Sequence, residues 1–306
     1  MTTGTASVPP VGVVDVGGGH VAAGVVEGGA LVDEVRSELD SDAGLEALLP
    51  ALTAPPSLVA RRRAASGRPV AEEWVVAVPG PFDYAAGTGG FEGVDKFGSL
   101  AGVDLRGAFA DALGVAPASV RFVNDAVAYA VGEWSSGAGR RARRMICVTL
   151  GTGVGSAFLA DGQHVASGGD VPRDGAVHTL TIDGRPLEET VSTPALRTRF
   201  RGTGGGDRTV EQICALARRG DDDATEVVAS AFGALGRALS PWAARFGATT
   251  VVVGGGVSRS WDVVGPPLEE GLRDAAGRRD ADQPTVVPAS LGDVAPLLGA
   301  AAWALA

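Results

Sequence analysis

The sequence predicts an α/β protein of two related halves, and three observations carry that expectation. A strand, a glycine-rich turn and a second strand open the chain, and the same plan returns after Arg144. Apolar residues at helical spacing fill the segments between and beyond these hairpins. The 306 residues, 45% apolar and 20% charged with 46 glycines, suffice for one large domain or two ordinary ones rich in tight turns.

Val11–Val16 is an apolar run containing Asp15 and followed by Gly17–Gly19; His20–Val26 is apolar again up to Glu27-Gly28-Gly29, and Ala30–Leu39 alternates. This reads as strand, glycine turn, strand, turn, strand. Ala43–Leu52 is a helix, which Pro55–Pro69 continues as helix or loop with a solvated basic face at Arg61–Arg63. Trp74–Val78 is a buried strand that stops at Pro79-Gly80-Pro81, and a loop through Lys96 and Phe97 leads to an amphipathic helix, Leu105–Leu113. Val120–Val123 is a short strand running through Asn124-Asp125 into a helix, Ala126–Glu133. After the basic turn Gly137–Arg144, Met145–Leu150 and Ser156–Leu159 are strands joined by Gly151–Gly155. Helices follow at Pro194–Arg199, Thr209–Arg218 and Thr225–Phe246; Val251–Val253 is a strand entering Gly254-Gly255-Gly256, and Leu291–Leu305 is the last helix.

A net charge of −10 and a pI near 4.8 argue against nucleic acid or an anionic membrane as partner, since both require clustered positive charge. Small solutes fit better. No apolar run approaches the roughly 20 residues that cross a bilayer, and the N-terminus lacks the pattern of a secretory signal, so a cytoplasmic protein is expected. Cys147 and Cys214 lie far apart in apolar-periodic segments and read as buried reduced thiols. With His20, His164 and His178 scattered, they form no zinc set.

Gly17-Gly18-Gly19-His20-Val21-Ala22 also satisfies GxGxxA, the dinucleotide-binding pattern of an oxidoreductase. That turn must feed a long helix, whereas Glu27-Gly28-Gly29 interrupts the segment first. A glycine turn between two strands instead lets backbone N–H groups approach phosphate oxygens, with an acid at the strand end beside the Mg²⁺ that accompanies ATP. Asp15 occupies that position, and Gly151-Thr152-Gly153 repeats the device with a hydroxyl donor. Gly254, Gly255 and Gly256 could let an adenine ring lie flat on the backbone.

Asp15–His20 (DVGGGH), Val78–Pro81 (VPGP), Val123–Ala126 (VNDA), Leu150–Ala157 (LGTGVGSA) and Val252–Ser258 (VVGGGVS) stand in the order and spacing of the ROK sugar kinases. The chain therefore resembles that family over nearly its whole length. The resemblance implies a two-domain α/β, actin-like ATPase (ribonuclease H-like) fold with a central ATP and sugar cleft. Residues 1–122 with 290–306 are expected to form the smaller domain and 123–289 the larger. It also implies Asp125 as general base for a sugar hydroxyl, although a plain N-cap of the following helix is the bland alternative. ATP would be held by Asp15, Gly17, Gly18, Gly19, His20, Gly151, Thr152, Gly153 and Gly254–Gly256, with Mg²⁺ reached through Asp15. Gly80, Asn124, His178 and Glu189 would face the substrate.

Three departures bear on substrate and nucleotide. The family commonly has Thr or Ser and then Lys or Arg after DxGG, where this chain has Gly19 and His20; His20 either donates to phosphate or pairs with a backbone carbonyl. The cysteine-rich zinc segment is missing, leaving His178. In place of Asn-x-Pro-x-Trp stands Glu92-Gly93-Val94-Asp95-Lys96-Phe97, where Glu92 or Asp95 could bind an amine or hydroxyl. The expected activity is ATP-dependent phosphorylation of the primary hydroxyl of glucose, an amino sugar such as kanosamine, or a C7 cyclitol, by a homodimer. The alternative is a catalytically inactive sugar-sensing regulator of the same fold.

Overall fold

A computed structural model describes residues 9–91, 96–182, 184–276 and 283–306, so Glu92 and Asp95 lie outside the described residues. The chain divides into two compact units, Met1–Gly132 with Asp293–Ala306, and Glu133–Gly292. Among the described residues no helix is long and apolar enough to cross a membrane.

In the first unit, strands β1 (Val11–Val16), β2 (His20–Glu27) and β3 (Ala30–Glu38) form an antiparallel meander. Helix α1 (Leu45–Ala65) then leads to β4 (Glu73–Val78), and the small hairpin β5 (Phe82–Asp83) and β6 (Thr88–Gly89) precedes α2 (Leu105–Leu113). β7 (Val120–Asn124) runs directly into α3 (Asp125–Ser136), and the chain's last helix returns to this unit. The five-stranded sheet has the order β3-β2-β1-β4-β7, with β1, β4 and β7 parallel. Every residue of β1 is buried, as a strand covered on both faces requires. Val14 and Val16 join Leu48, Leu52 and Phe109 in one core, which places α1 and α2 on that face. The C-terminal helix packs on β1 and β4 and meets α3 backbone to backbone, where a β-carbon at Gly299 would collide with the Ala128 carbonyl.

The second unit repeats the plan. β8 (Arg144–Leu150), β9 (Val154–Ala160) and β10 (Gln163–His164) form the antiparallel meander. A segment of short elements follows: β11 (Thr181–Ile182), β12 (Arg185–Pro186), α4 (Glu188–Val191) and α5 (Thr193–Gly202). Helices α6 (Val210–Ala217) and α7 (Asp222–Phe246) lead to β13 (Thr250–Gly254), then α8 (Trp261–Ala276) and β14 (Thr285–Pro288). Sheet order is β10-β9-β8-β13-β14, again a hairpin edge followed by parallel strands. The remaining helix, α9 (Ala295–Ala304), is the one assigned above to the first unit. Cys147 and Cys214 are both free and buried.

The compact units divide at Gly132 and Gly292, near the expected boundaries after 122 and 289, and β7 is hydrogen-bonded to β4 within the first sheet. α8 and β14 occupy the stretch between Gly256 and Leu291 to which the sequence assigned no element, and Pro266 and Pro267 sit inside α8. The basic face at Arg61–Arg63 is solvated only in part, for the Arg63 side chain is fully buried. Its guanidinium donates to Glu27, to Asp33 Oδ2 at 2.6 Å and to the Pro69 carbonyl at 2.6 Å, tying α1 to the β2–β3 hairpin. Burial pushes the Asp33 carboxyl up, but hydrogen bonds from Arg63 and Arg68 outweigh that and hold it below its ordinary value.

Removing one partner of a buried ion pair leaves uncompensated charge. Arg63→Ala is expected to lower unfolding free energy by about 3 kcal/mol, measured by urea denaturation at neutral pH. A loss below about 1 kcal/mol would mean the network contributes only packing.

Candidate active site

In the first unit the site begins where β1 ends. Asp15 is 7% exposed, and the turn Gly17–Gly19 closes with Gly17 N–H donating to the His20 carbonyl at 2.9 Å. Gly18 and Gly19 are exposed, so their backbone edges face solvent with no side chain in the way. The His20 ring folds back over the turn: a β-carbon at Gly17 would lie 2.5 Å from its Cε1. His20 Nε2 stands 3.4 Å from Asp15 Oδ2. The imidazole thus partners the Asp15 carboxylate instead of a backbone carbonyl, because the two flank the same tight turn.

The second element is the β7–α3 junction. A helix start leaves backbone N–H groups without intrahelical partners. Asn124 Oδ1 accepts two of them, from Ala126 at 3.0 Å and Val127 at 3.2 Å, and so caps α3. Its Nδ2 donates to the Tyr84 hydroxyl at 2.9 Å, which donates in turn to the Val78 carbonyl at 3.2 Å. Tyr84 is held neutral: burial raises its hydroxyl first, the Asp125 charge adds to that, and the bond from Asn124 only partly offsets them. This chain of bonds brings the Asn124-Asp125 pair beside the end of β4, just before the exposed Gly80.

With Asn124 capping, Asp125 is left largely free. One of its oxygens accepts the Ala126 N–H at 2.8 Å, and no other side chain is recorded against the carboxylate among the described residues. The half-buried carboxyl is pushed up to about 6 from 3.8, first by burial and then by the negative charge of Asp15, with backbone N–H groups pulling the other way. A carboxylate that titrates near 6 is a proton acceptor matched to neutral pH.

In the second unit, Gly151 and Thr152 are exposed at the β8–β9 turn, where Gly151 N–H donates to Gly153 at 3.0 Å. Gly254 pairs with Thr149 in the sheet, and Gly255 has φ of 85° with its α-carbon against the Leu150 carbonyl, where a side chain could not fit. Two of the three glycine clusters expected for the nucleotide, those of the second unit, therefore lie at the ends of neighbouring strands. His178 lies half-buried in a short turn held to β9 by Ser156, which donates to the Gly175 carbonyl at 2.6 Å and accepts from Val177 N–H at 2.9 Å. Glu189 is exposed. Its neighbour Glu188, unmarked by sequence reasoning, is the one that reaches the glycine turn, accepting the Val154 N–H at 3.1 Å. Two adjacent glutamates in a short helix give no signal in the sequence as to which faces inward.

For Mg²⁺, the residues present fit. The ion is ordinarily held by one or two carboxylates plus phosphate oxygens, and Asp15 stands at the glycine turn with Asp125 close enough to feel its charge. Among the described residues no three His, Cys, Asp or Glu side chains cluster as a dedicated metal cage.

The glucokinase of Halalkalibacterium halodurans is 29% identical over 202 residues, covering 58% of this chain and 60% of its own length. The chain thus matches well under two thirds of that relative. A ROK family glucokinase of Streptomyces griseus, solved with glucose and AMPPNP, superposes with a TM-score of 0.74 at 25% identity, covering 95% of this chain and 98% of its own. A ROK family transcriptional regulator, a homologue of the E. coli MLC protein, has the same fold with a TM-score of 0.80 at 19% identity, covering 96% of this chain and 77% of its own. These folds are of the actin-like ATPase type, and so is this one. The ROK family model matches residues 11–306, and the chain belongs to the ROK family.

Proposed function

We propose that this chain is an ATP-dependent kinase acting on the primary hydroxyl of a hexose or hexose-like ring: glucose, an amino sugar such as kanosamine, or a C7 cyclitol. The observation that carries the reading is the division of labour at the β7–α3 junction. Asn124 satisfies the helix end, and Asp125 keeps a half-buried carboxyl that is harder to ionise, in the same unit as the Asp15 turn.

Asp125 accepts the hydroxyl proton as the sugar oxygen attacks the γ-phosphorus; the bond to the β,γ-bridging oxygen breaks and ADP leaves. In the first unit the N–H groups of Gly18 and Gly19 donate to phosphoryl oxygens, and in the second unit the N–H groups of Thr152 and Gly153, with the Thr152 hydroxyl, form a phosphate-binding turn of their own. Bound Mg²⁺ supplies charge neutralisation on the phosphates, next to Asp15. Gly254–Gly256 leave a flat backbone face for the base. Asn124 and Tyr84 act as positioning residues that hold Asp125, and Gly80, His178 and Glu189 lie on the segments offered to the sugar.

A second reading, a sugar-binding regulator without turnover, draws on one feature: His20 faces the Asp15 carboxylate at 3.4 Å, where a protonated imidazole would compete with Mg²⁺. ADP release measured across glucose, kanosamine and C7 cyclitols separates the two. Turnover with any of them supports the kinase; ligand-induced thermal stabilisation without turnover supports the regulator.

Asp125→Asn is expected to lower kcat by about 10³-fold with little change in the Kd for Mg-AMP-PNP. Activity within tenfold of wild type would remove Asp125 from the base role. With Asp125 titrating at about 6, log(kcat/KM) should rise with unit slope below that pH and level off above it.

The same residue ties function to stability. Below pH 3.8 both folded and unfolded forms carry a protonated Asp125; between 3.8 and about 6 only the unfolded chain ionises it, so stability falls as pH rises and the deficit persists above. Asp125→Asn removes the charge but keeps an acceptor for Ala126. It should therefore be more stable than wild type by about 1–2 kcal/mol at pH 8, after allowance for the solvent contact of a half-buried group, and equal to it near pH 3.5. Matched thermal melts across that range provide the check.

A further inference from the structure

The first glycine turn carries a second side chain that the sequence did not mark for phosphate. Lys96 crosses over Gly18: a β-carbon there would lie 2.6 Å from Lys96 Nζ, 3.4 Å from Cδ and 3.5 Å from Cε. The outer end of the side chain thus lies along a residue whose lack of a side chain makes room for it. No carboxylate stands within ion-pair distance of this ammonium among the described residues. The turn's other basic group, His20, is directed at Asp15.

Lys96 is also well anchored at its base. The next residue, Phe97, is 2% exposed, packs against Phe91 with the rings tilted and their centres 5.4 Å apart, and donates its N–H to the Ser41 carbonyl at 2.9 Å. Two residues further on, the Ser99 hydroxyl donates to the Ala43 carbonyl at 2.8 Å. Phe97 is therefore a core residue that fixes the backbone from which Lys96 reaches out.

A triphosphate brought to Gly17–Gly19 would enter a region holding two carboxylates, Asp15 and Asp125, in a protein of net charge −10. Backbone N–H groups donate hydrogen bonds but carry no full charge, and one divalent ion offsets only part of the charge of a triphosphate, so a side-chain cation at this turn adds to the hold on the phosphates. We propose that Lys96 is the side-chain cation that binds phosphate at the first glycine turn, its ammonium donating to phosphoryl oxygens of the nucleotide. This rests on the kinase reading above.

The test is binding of Mg-AMP-PNP and of adenosine to full-length wild type, Lys96→Met, Lys96→Arg and Gly18→Ala, by calorimetry at two salt concentrations. Loss of one charge-assisted contact is expected to raise the Kd of Lys96→Met for Mg-AMP-PNP about tenfold and to flatten its salt dependence, with adenosine unaffected. Lys96→Arg should stay within about threefold, since it keeps the charge. Gly18→Ala, whose methyl displaces the ammonium, should resemble Lys96→Met. Unchanged Mg-AMP-PNP affinity in Lys96→Met, or an equal loss for adenosine, overturns the role of Lys96 while leaving the kinase reading standing. Wild-type protein that binds no Mg-AMP-PNP overturns both. Each variant's melting temperature without ligand accompanies the binding; a Lys96→Met that melts early while Lys96→Arg does not bind tightly either also counts against the proposal.

Discussion

The structure turns on how the start of α3 satisfies its backbone. Four N–H groups at a helix N-terminus need partners, and at this junction the residue that could supply one is also the residue that chemistry would use. Asn124 resolves the conflict by accepting from both Ala126 and Val127 with a single amide oxygen. Its other end is fixed by Tyr84, whose hydroxyl is itself committed to the end of β4. Asp125 is thereby placed by covalent connection to a rigid cap while its own carboxylate is spared most of the capping. Without Asn124, Asp125 would become an ordinary N-cap, stabilised as an anion and poorly suited to accept a proton.

The electrostatics follow from that placement. A carboxyl near a second carboxylate and partly withdrawn from water is harder to ionise, which is useful for proton transfer and unfavourable for the folded state. The surrounding fold offsets this with extensive burial: a central strand covered on both faces, close backbone contact of α3 with α9, and the Arg63 network across α1 and the β2–β3 hairpin. The two units share a sheet plan but have diverged at their glycine turns. The first turn carries Asp15 and lies beside Asp125; the second carries Thr152 and lies beside the Gly254–Gly256 cluster. The first turn carries its own carboxylate, whereas the second draws one, Glu188, from the short helix α4.

Much of this was legible in the sequence, because strand-turn-strand patterns depend on local signals that a single chain displays. The glycine turns, the helix at Leu105–Leu113 and the Asn124-Asp125 junction all stand where those signals put them. What was hidden depended on tertiary partners. Pro266 and Pro267 sit inside α8, where packing against α7 outweighs the lost hydrogen bonds that make tandem proline look like a stop. Arg63 resembles its neighbours Arg61 and Arg62 in sequence, and only the positions of Glu27, Asp33 and Pro69 draw it inside. Likewise, Lys96 meets Gly18 across a long stretch of chain, and no periodicity announces such a contact. His20 was read as donating either to phosphate or to a backbone carbonyl, and the tightness of the turn sets it beside Asp15.

The central claim is that Asp125 is a carboxyl poised to exchange a proton near neutrality. Carbon-13 NMR of aspartate-labelled protein measures this without reference to substrate identity, the signal being assigned by its absence from Asp125→Asn. The account predicts a carboxyl titrating at about 6 in the free protein and moving when Mg-AMP-PNP is added. A carboxyl that titrates at the ordinary aspartate value near 4, with no response to nucleotide, would contradict it.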